Sequence, residues 1–446
     1  MHDRMTFEAR LAEAYGRYAD GADADVAALD LAAAIATGSR RGRLSLTRLT
    51  WLVGPAVLLP VSSVAPRGVS MRFATSVLAL VLGLAGCSST SATAPPSPTA
   101  ALAPPTASTM PTAPSSRAPT AVPDLASRFR EILGTDFNGS ALVSRDGDLL
   151  FAEGIGMADD ANGISNTPET RFRLGSVTKQ FTAMAVLMLA SQGLLKTTDP
   201  LCDYVVTCPD AWDVVTIEHL LSHSSGIANF LDQPGFDPMK AATPADTVAS
   251  VADIPLVFEP GASFEYSNTG YVLLGMVIER ASGLDYETFL GQHIFDPLGM
   301  ADSGYEHGDT PGLAVGYASA FEEADALDMS LPYAAGGLYS TVLDLQRWVD
   351  ALDAAALVDA AAMQRFVTPL ADTRDGGTFG YAYGVNVGDE DGRRVVSHEG
   401  IINGFSTYLA WYPDEGLMIA LLTNRMEGPD LARTATRAAA LALESP

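Results

Sequence analysis

The sequence predicts an α+β fold: an antiparallel sheet built from both ends of the folded region and flanked by helices, with a mostly helical subdomain inserted. Three observations point there. Ala141-Leu142-Val143 and Leu149-Leu150-Phe151 flank Asp146-Gly147, a dipeptide that favours a tight hairpin turn. Far along the chain, Arg394–His398, Phe405–Tyr412 and Leu417–Thr423 read as three strands, with Pro413-Asp414-Glu415-Gly416 turning between the last two. Between these groups the apolar spacing is helical. Strands at both ends with helices between them suggest one sheet closed from both directions.

The helices follow in order. Leu125, Phe129, Ile132 and Leu133 recur at helical spacing before Gly134. Phe172–Gly175 leads into a helix over Ser176–Gln192, stopped by Gly193. Phe181, Met184, Val186, Leu187, Met188 and Leu189 make it apolar nearly all round, so it belongs inside the domain. A short helix is expected at Glu218–Leu221 after Thr216. Asn268 or Thr269 caps another apolar helix that ends near Gly283, and Leu431–Leu443 is an Ala-rich closing helix.

Composition bounds the partners. The 446 residues are 48% hydrophobic and 18% charged, enough for a sizeable core. A formal net charge of -26 repels nucleic acid, so no nucleic-acid partner is expected. The segment 71–87 reads as a targeting signal: Arg72, an apolar run from Phe73 to Leu84, then Leu84-Ala85-Gly86-Cys87. That ending resembles a bacterial lipoprotein lipobox, which implies cleavage before Cys87, a lipid on its sulfur, and a place on the outer face of the cell membrane. Residues 1–70 carry a second apolar patch, Trp51–Leu59, behind Arg40, Arg41, Arg43 and Arg48. Either translation starts at Met71, or residues 1–70 form a cytoplasmic segment with its own weak anchor; the first is favoured because a signal begins a chain. Residues 88–123, nearly all Ser, Thr, Ala and Pro, read as an extended stalk. The folded domain is expected over 124–446, as a monomer. Cys202 and Cys208 flank a short loop and could pair outside the cytoplasm.

The chemistry centres on Ser176-Val177-Thr178-Lys179. The chain has only three lysines, Lys179, Lys196 and Lys240, yet keeps one a helical turn after a serine. Serine needs a neighbouring base before it attacks, and a desolvated lysine can lose its proton where arginine cannot. At i and i+3 the two side chains share a face. Three more segments belong with this pair. Tyr266-Ser267-Asn268 follows Glu259-Pro260-Gly261, and His398-Glu399-Gly400 ends a strand. Thr216–Gly226, with His219 and His223 four apart, lies between the first two. That histidine spacing also suits zinc, but the motif context assigns the pair a structural role, so neither metal nor cofactor is expected.

These ordered segments resemble the serine hydrolases related to class C β-lactamases and D-alanyl-D-alanine carboxypeptidases, the penicillin-recognising family. Ala335-Gly336-Gly337-Leu338-Tyr339-Ser340-Thr341 adds to the likeness, which covers roughly residues 124–440. The resemblance implies a β-lactamase/transpeptidase-like fold and a set of roles. Ser176 is the nucleophile, Lys179 its base, and Tyr266 the relay of protons to leaving group and water. Asn268 orients Lys179 or substrate, while His398 and Gly400 meet substrate. The backbone N–H groups of Ser176 and Ile401 form the oxyanion hole. The Gly336-Gly337 pair allows close backbone packing near the site.

The third motif departs from the pattern. β-Lactamases commonly place a lysine where this chain has His398, neutral at pH 7, beside the anion Glu399. Of Arg393 and Arg394, strand alternation lets at most one help. A site built this way attracts a carboxylate less well. The expectation is therefore a D-amino-acid peptidase or a carboxylesterase acting on a small-molecule or peptide substrate, with β-lactamase as the alternative. A catalytically silent module that binds cell-wall peptides is the alternative of another class.

Overall fold

In a computed structural model of the chain, the structure describes residues 123–320, 322–372 and 379–444. The readings made for residues 1–70, for the signal segment with Cys87, and for the stalk up to 122 lie outside the described residues. Pro123 is the first residue of helix α1 (Pro123–Leu133).

The hairpin forms as its sequence requires. Strands β1 (Gly139–Arg145) and β2 (Asp148–Ile155) are joined by Asp146 and Gly147, at φ 51° and 79°. Two successive positive φ values match the twist of the flanking strands, and an Asp-Gly pair accepts them. A short strand β3 (Phe172–Arg173) then leads into the apolar helix. Here the structure differs from the expected single helix: Gly175–Val177 is a 3-10 turn, and the α-helix proper, α2, spans Thr178–Ser191. Helix α3 is brief (Ile217–Leu221), and α4 spans Asn268–Ser282. Its N-cap is Ser267, ahead of the expected Asn268 or Thr269, and the Asn268 side chain meets Lys179 Nζ instead.

Strands β4 (Gly304–Tyr305) and β5 (Leu338–Ser340) pair with β3 in a small sheet ordered β3-β5-β4. Helix α5 (Val342–Asp353) follows. The main sheet is completed by β6 (Ala371–Asp372), β7 (Phe379–Tyr381), β8 (Asn386–Glu390), β9 (Arg393–Ile402), β10 (Phe405–Tyr412) and β11 (Leu417–Thr423). Helix α6 spans Leu431–Glu444. The eight strands run in the order β6-β7-β8-β9-β10-β11-β1-β2, with β11 antiparallel to β1 through pairs such as Leu421↔Ala141. Both ends of the domain thus meet in one antiparallel sheet.

Alternation along β11 assigns its two faces. Ile419 and Leu421 pack with Phe129 of α1 and Ala435 and Leu441 of α6. Ala420 and Leu422 belong to the opposite core, with Phe181 of α2 and Trp348 of α5. Period-two geometry makes this division unavoidable once the strand is buried on both sides. Phe181 stacks on Trp348 with ring centroids 4.1 Å apart, seating α2 deep in the larger core. The strand β9 runs four residues beyond the expected end at His398, to Ile402. Its first half pairs with β8 up to Ser397. Past Ser397 that edge turns instead to the segment holding Ser176, and this sets the site.

Candidate active site

Ser176 lies where a strand, a 3-10 turn and a buried helix succeed one another. Gly175 takes φ 53°, a left-handed conformation that costs a side-chain-bearing residue. A Cβ there would also lie 3.0 Å from the backbone nitrogen of Ile401. Gly400 is still more confined: its Cβ would fall 2.0 Å from Leu174 O and 2.3 Å from Thr407 Oγ1. The two glycines let β9 lie main chain against main chain on the nucleophile segment. Thr407 Oγ1 donates to Leu174 O at 2.8 Å and ties the strands across this seam. Backbone N–H groups of Ser176 and Ile401 are thereby brought into one neighbourhood.

Lys179 is wholly buried in the first turn of α2. Its Nζ lies 2.9 Å from Ser176 Oγ, 2.9 Å from Asn268 Oδ1 and 2.7 Å from Ala335 O. Burial pushes its pKa well below the usual lysine value. A neutral amine has two N–H donors and one lone pair. Ala335 O can only accept, and the Asn268 oxygen faces Nζ as an acceptor. The two N–H groups are thus engaged, and the lone pair is left for the Ser176 hydroxyl to donate to.

Tyr266 precedes α4 and is half-buried. Its ring centroid is 4.8 Å from Lys179 Nζ. Ser176, Asn268 and Tyr266 therefore gather around Lys179, and Ile401 borders the cleft beside Ser176. Beside Ser176 a cleft opens, walled by Phe230, Leu231, Phe236, Leu327, Leu331 and Pro332. Among the described residues, no lysine or arginine lines it.

Several expectations change. His398 was expected to meet substrate, but it is buried and both its nitrogens are engaged inside the protein. Nδ1 lies 2.5 Å from Glu399 O, an obligate acceptor, so Nδ1 carries the proton and Nε2 accepts from Tyr381 Oη at 3.0 Å. Burial first, and second the coupling to Lys179 in its protonated form, lower its pKa to about 3. Glu399 faces away from the pocket. It stands directly opposite Tyr408, which belongs to the core under α1 and α6. There burial, with Asp430 adding to it, raises the carboxyl to about 7. The expected repulsion of a substrate carboxylate by Glu399 is thus overturned by strand alternation. Arg393 faces Glu415 at 3.8 Å, and Arg394 donates to Val367 O, so neither serves the cleft.

His219 and His223 do not share a helix face, because α3 ends at Leu221 and His223 takes φ 55°. His219 Nδ1 accepts from Thr216 N and closes the α3 cap, whereas His223 turns to Ser267 N. Cys202 and Cys208 are joined as a disulfide. Gly336 and Gly337 pack closely, as expected: a Cβ on Gly337 would lie 2.8 Å from the Tyr305 ring. Sequence reasoning missed three features: the Ala335 carbonyl, the bond from Ser267 to His223, and the apolar cleft. A main-chain acceptor leaves no side-chain signal. The cleft draws on segments far apart in the chain, whose shared position only the fold reveals.

A family model described as Beta-lactamase matches residues 125–444, and the chain belongs to this family. It is 30% identical over 275 residues to the putative penicillin-binding protein PbpX of Bacillus subtilis (strain 168), covering 60% of this chain and 68% of the relative. It is 29% identical over 363 residues to the esterase EstB of Burkholderia gladioli, covering 69% of this chain and 91% of the relative. Among solved structures, an octameric penicillin-binding protein homologue from Pyrococcus abyssi aligns with TM-score 0.64 and 31% identity, over 72% of this chain and 77% of that one. The fold is the β-lactamase-like one, and the chain is a serine hydrolase of amide or ester bonds.

Proposed function

We propose that the chain hydrolyses a carboxylic ester, or an amide of similar shape, whose acyl group is apolar and which bears no free carboxylate near the scissile bond. The observation that carries this reading is the cleft beside Ser176, whose walls are mainly apolar and, among the described residues, hold no cation. A carboxylate placed there would lose hydration and gain no partner. An alkyl or aryl group would gain roughly 25 cal/mol for each Å² removed from water. A penicillin or a D-alanyl-D-alanine peptide carries such a carboxylate, so both are the poorer substrates.

The residues take these roles. Ser176 Oγ attacks the carbonyl as its proton passes to Lys179 Nζ. The developing oxyanion is met by the N–H groups of Ser176 and Ile401. Tyr266 delivers a proton to the departing alcohol or amine, then takes one from the water that releases the acyl group, while Lys179 returns its proton to the departing Ser176 Oγ. Asn268 and Ala335 O hold the amine in place. The fold and the Ser176–Lys179 contact support these assignments. We also place the domain outside the cytoplasm as a lipid-anchored monomer held through Cys87, a reading supported by Leu84-Ala85-Gly86-Cys87 and by the Cys202–Cys208 disulfide.

A side-by-side assay of a p-nitrophenyl alkanoate, a chromogenic cephalosporin and a D-Ala-D-Ala peptide tests the substrate class. The ester is expected to have the highest kcat/KM; a faster cephalosporin or peptide overturns the reading.

A further inference from the structure

His223 is an expensive residue to keep in its place. It is buried, and it adopts a left-handed φ of 55°, a conformation uncommon outside glycine, although histidine, like asparagine and aspartate, takes it more readily than other residues. Its Nδ1 accepts from Ser267 N at 3.1 Å. The other nitrogen must then carry the proton of the neutral ring, and buried Nε2 finds no hydrogen-bond partner among the described residues. A strained backbone and an orphaned donor at one residue call for a compensating role.

The hydrogen bonds around Tyr266 supply it. Glu265 N donates to His223 O at 2.9 Å, and Ser267 N donates to His223 Nδ1. The residues just before and just after Tyr266 are therefore both tied to His223. The imidazole itself lies against the phenol ring, centroids 4.2 Å apart, and against Tyr381 at 4.6 Å and Tyr271 at 5.1 Å. Tyr266 sits on a loop, with no helix or strand to fix its backbone. The left-handed twist at His223 is what lets one residue present its carbonyl and its ring to the same loop. We propose that His223 is the positioning residue for Tyr266: a three-point clamp that sets the phenol ring against Lys179, the partner of Ser176.

The clamp works only with a neutral ring, because an imidazolium has no lone pair for Ser267 N. The groups facing it favour neutrality: Lys179 and His398 could add only positive charge if protonated, and the rings of Tyr266, Tyr271, Tyr381 and Phe264 pack around it. Burial lowers its pKa well below the usual value. His223 touches no reacting atom; it acts through Tyr266, and the inference rests on the role proposed above for that tyrosine.

The test compares His223→Leu with His223→Asn in the full protein, using a p-nitrophenyl ester and counting active sites by fluorophosphonate titration of Ser176. Asparagine tolerates the left-handed conformation and offers an acceptor oxygen near the place of Nδ1. Leucine offers none. Per titrated site, His223→Leu is expected to lose about a hundredfold in kcat, the scale of a misplaced catalytic group, with KM nearly unchanged. His223→Asn is expected to recover most of that loss. In a Tyr266→Phe background the change at His223 is expected to cost nothing further, since the phenol through which it acts is gone. A kcat per site near wild type in His223→Leu, no recovery in His223→Asn, or full additivity with Tyr266→Phe overturns the clamp. If leucine yields no soluble protein, His223→Gln, which moves the acceptor outward, replaces it under the same criteria. Tyr266→Phe with unchanged kinetics sinks the role of the tyrosine instead, so the two failures are distinguishable.

Discussion

Lys179 Nζ donates to the main-chain oxygen of Ala335 at 2.7 Å, the shortest of its three polar contacts. A carbonyl oxygen cannot donate, so this contact points the amine lone pair toward Ser176. It also ties the nucleophile helix to the Tyr333–Gly336 turn that walls the cleft. The catalytic amine is thus oriented by an atom that no side-chain substitution removes.

Lys179→Arg is expected to lose about two to four orders of magnitude in kcat, the usual contribution of a general base, because guanidinium does not give up its proton. The pH profile carries the sign. Activity needs the neutral amine, so kcat/KM rises as pH climbs through the depressed lysine pKa and falls below it. His398, lowered to about 3, contributes no limb near neutrality. Steady-state kinetics of wild type and variant from pH 4 to 9 check both statements. Near-wild-type activity in the arginine variant removes lysine from the mechanism.

Gly400→Ala tests the seam between β9 and the nucleophile. The added Cβ would lie 2.0 Å from a backbone oxygen, Leu174 O, which has no flexible end to swing away. The strand must move off, and Ile401 N moves with it. Loss of an oxyanion donor costs roughly 2.7–4 kcal/mol of transition-state stabilisation, about a hundredfold to a thousandfold in kcat. KM for the ester should change little, since the acyl cleft is built mainly on other segments. A variant that keeps its full kcat shows that the oxyanion is met elsewhere.

Much of this site was legible in the sequence because its side chains sit at short spacings on regular elements. Ser176 and Lys179 are a helical turn apart, and Asn268 opens α4, so type and spacing were enough. The main sheet was legible for the same reason: Leu417–Leu422 is uniformly apolar, and Asp146-Gly147 admits few other conformations. His398 and Glu399 were misread although the rule was at hand. Neighbours in a strand face opposite ways, which was applied to Arg393 and Arg394 but not carried four residues on. His223 escaped because the four-residue spacing to His219 assumed a helix that stops at Leu221.

Glu399 yields a prediction in two parts. Because it faces the core under α1 and α6, Glu399→Thr should bring no gain in turnover of penicillins, and a gain would show that the side chain reaches the cleft. Its effect should appear in stability. A carboxyl raised from the ordinary range to about 7 binds its proton more tightly folded than unfolded. Its contribution is fully present below the unfolded value and is lost as pH rises through 7. Glu399→Gln should remove that decline and make the variant more stable than wild type at pH 8. With about 1.4 kcal/mol per unit, discounted for partial exposure, the gain is about 1–2 kcal/mol. Urea denaturation at pH 5 and pH 8 reads the difference; equal pH dependence in both proteins refutes it.

The cleft should also grade substrates by acyl length. Phe236 stacks edge-on against Phe230, ring centroids 5.7 Å apart, and together they form part of the apolar wall near Ser176. Each methylene that leaves water for such a wall contributes about 0.8 kcal/mol, close to fourfold in binding. Across p-nitrophenyl acetate, butyrate and hexanoate, each step adds two methylenes, so kcat/KM should climb by up to about fifteenfold per step until the cleft is filled. Phe236→Ala removes part of the wall without touching Ser176, Lys179 or Tyr266. It should flatten that climb and leave the acetate rate within about threefold of wild type, since an acetyl group gains little from a distant wall. A climb that persists unchanged in Phe236→Ala means the acyl chain lies on another side of the nucleophile.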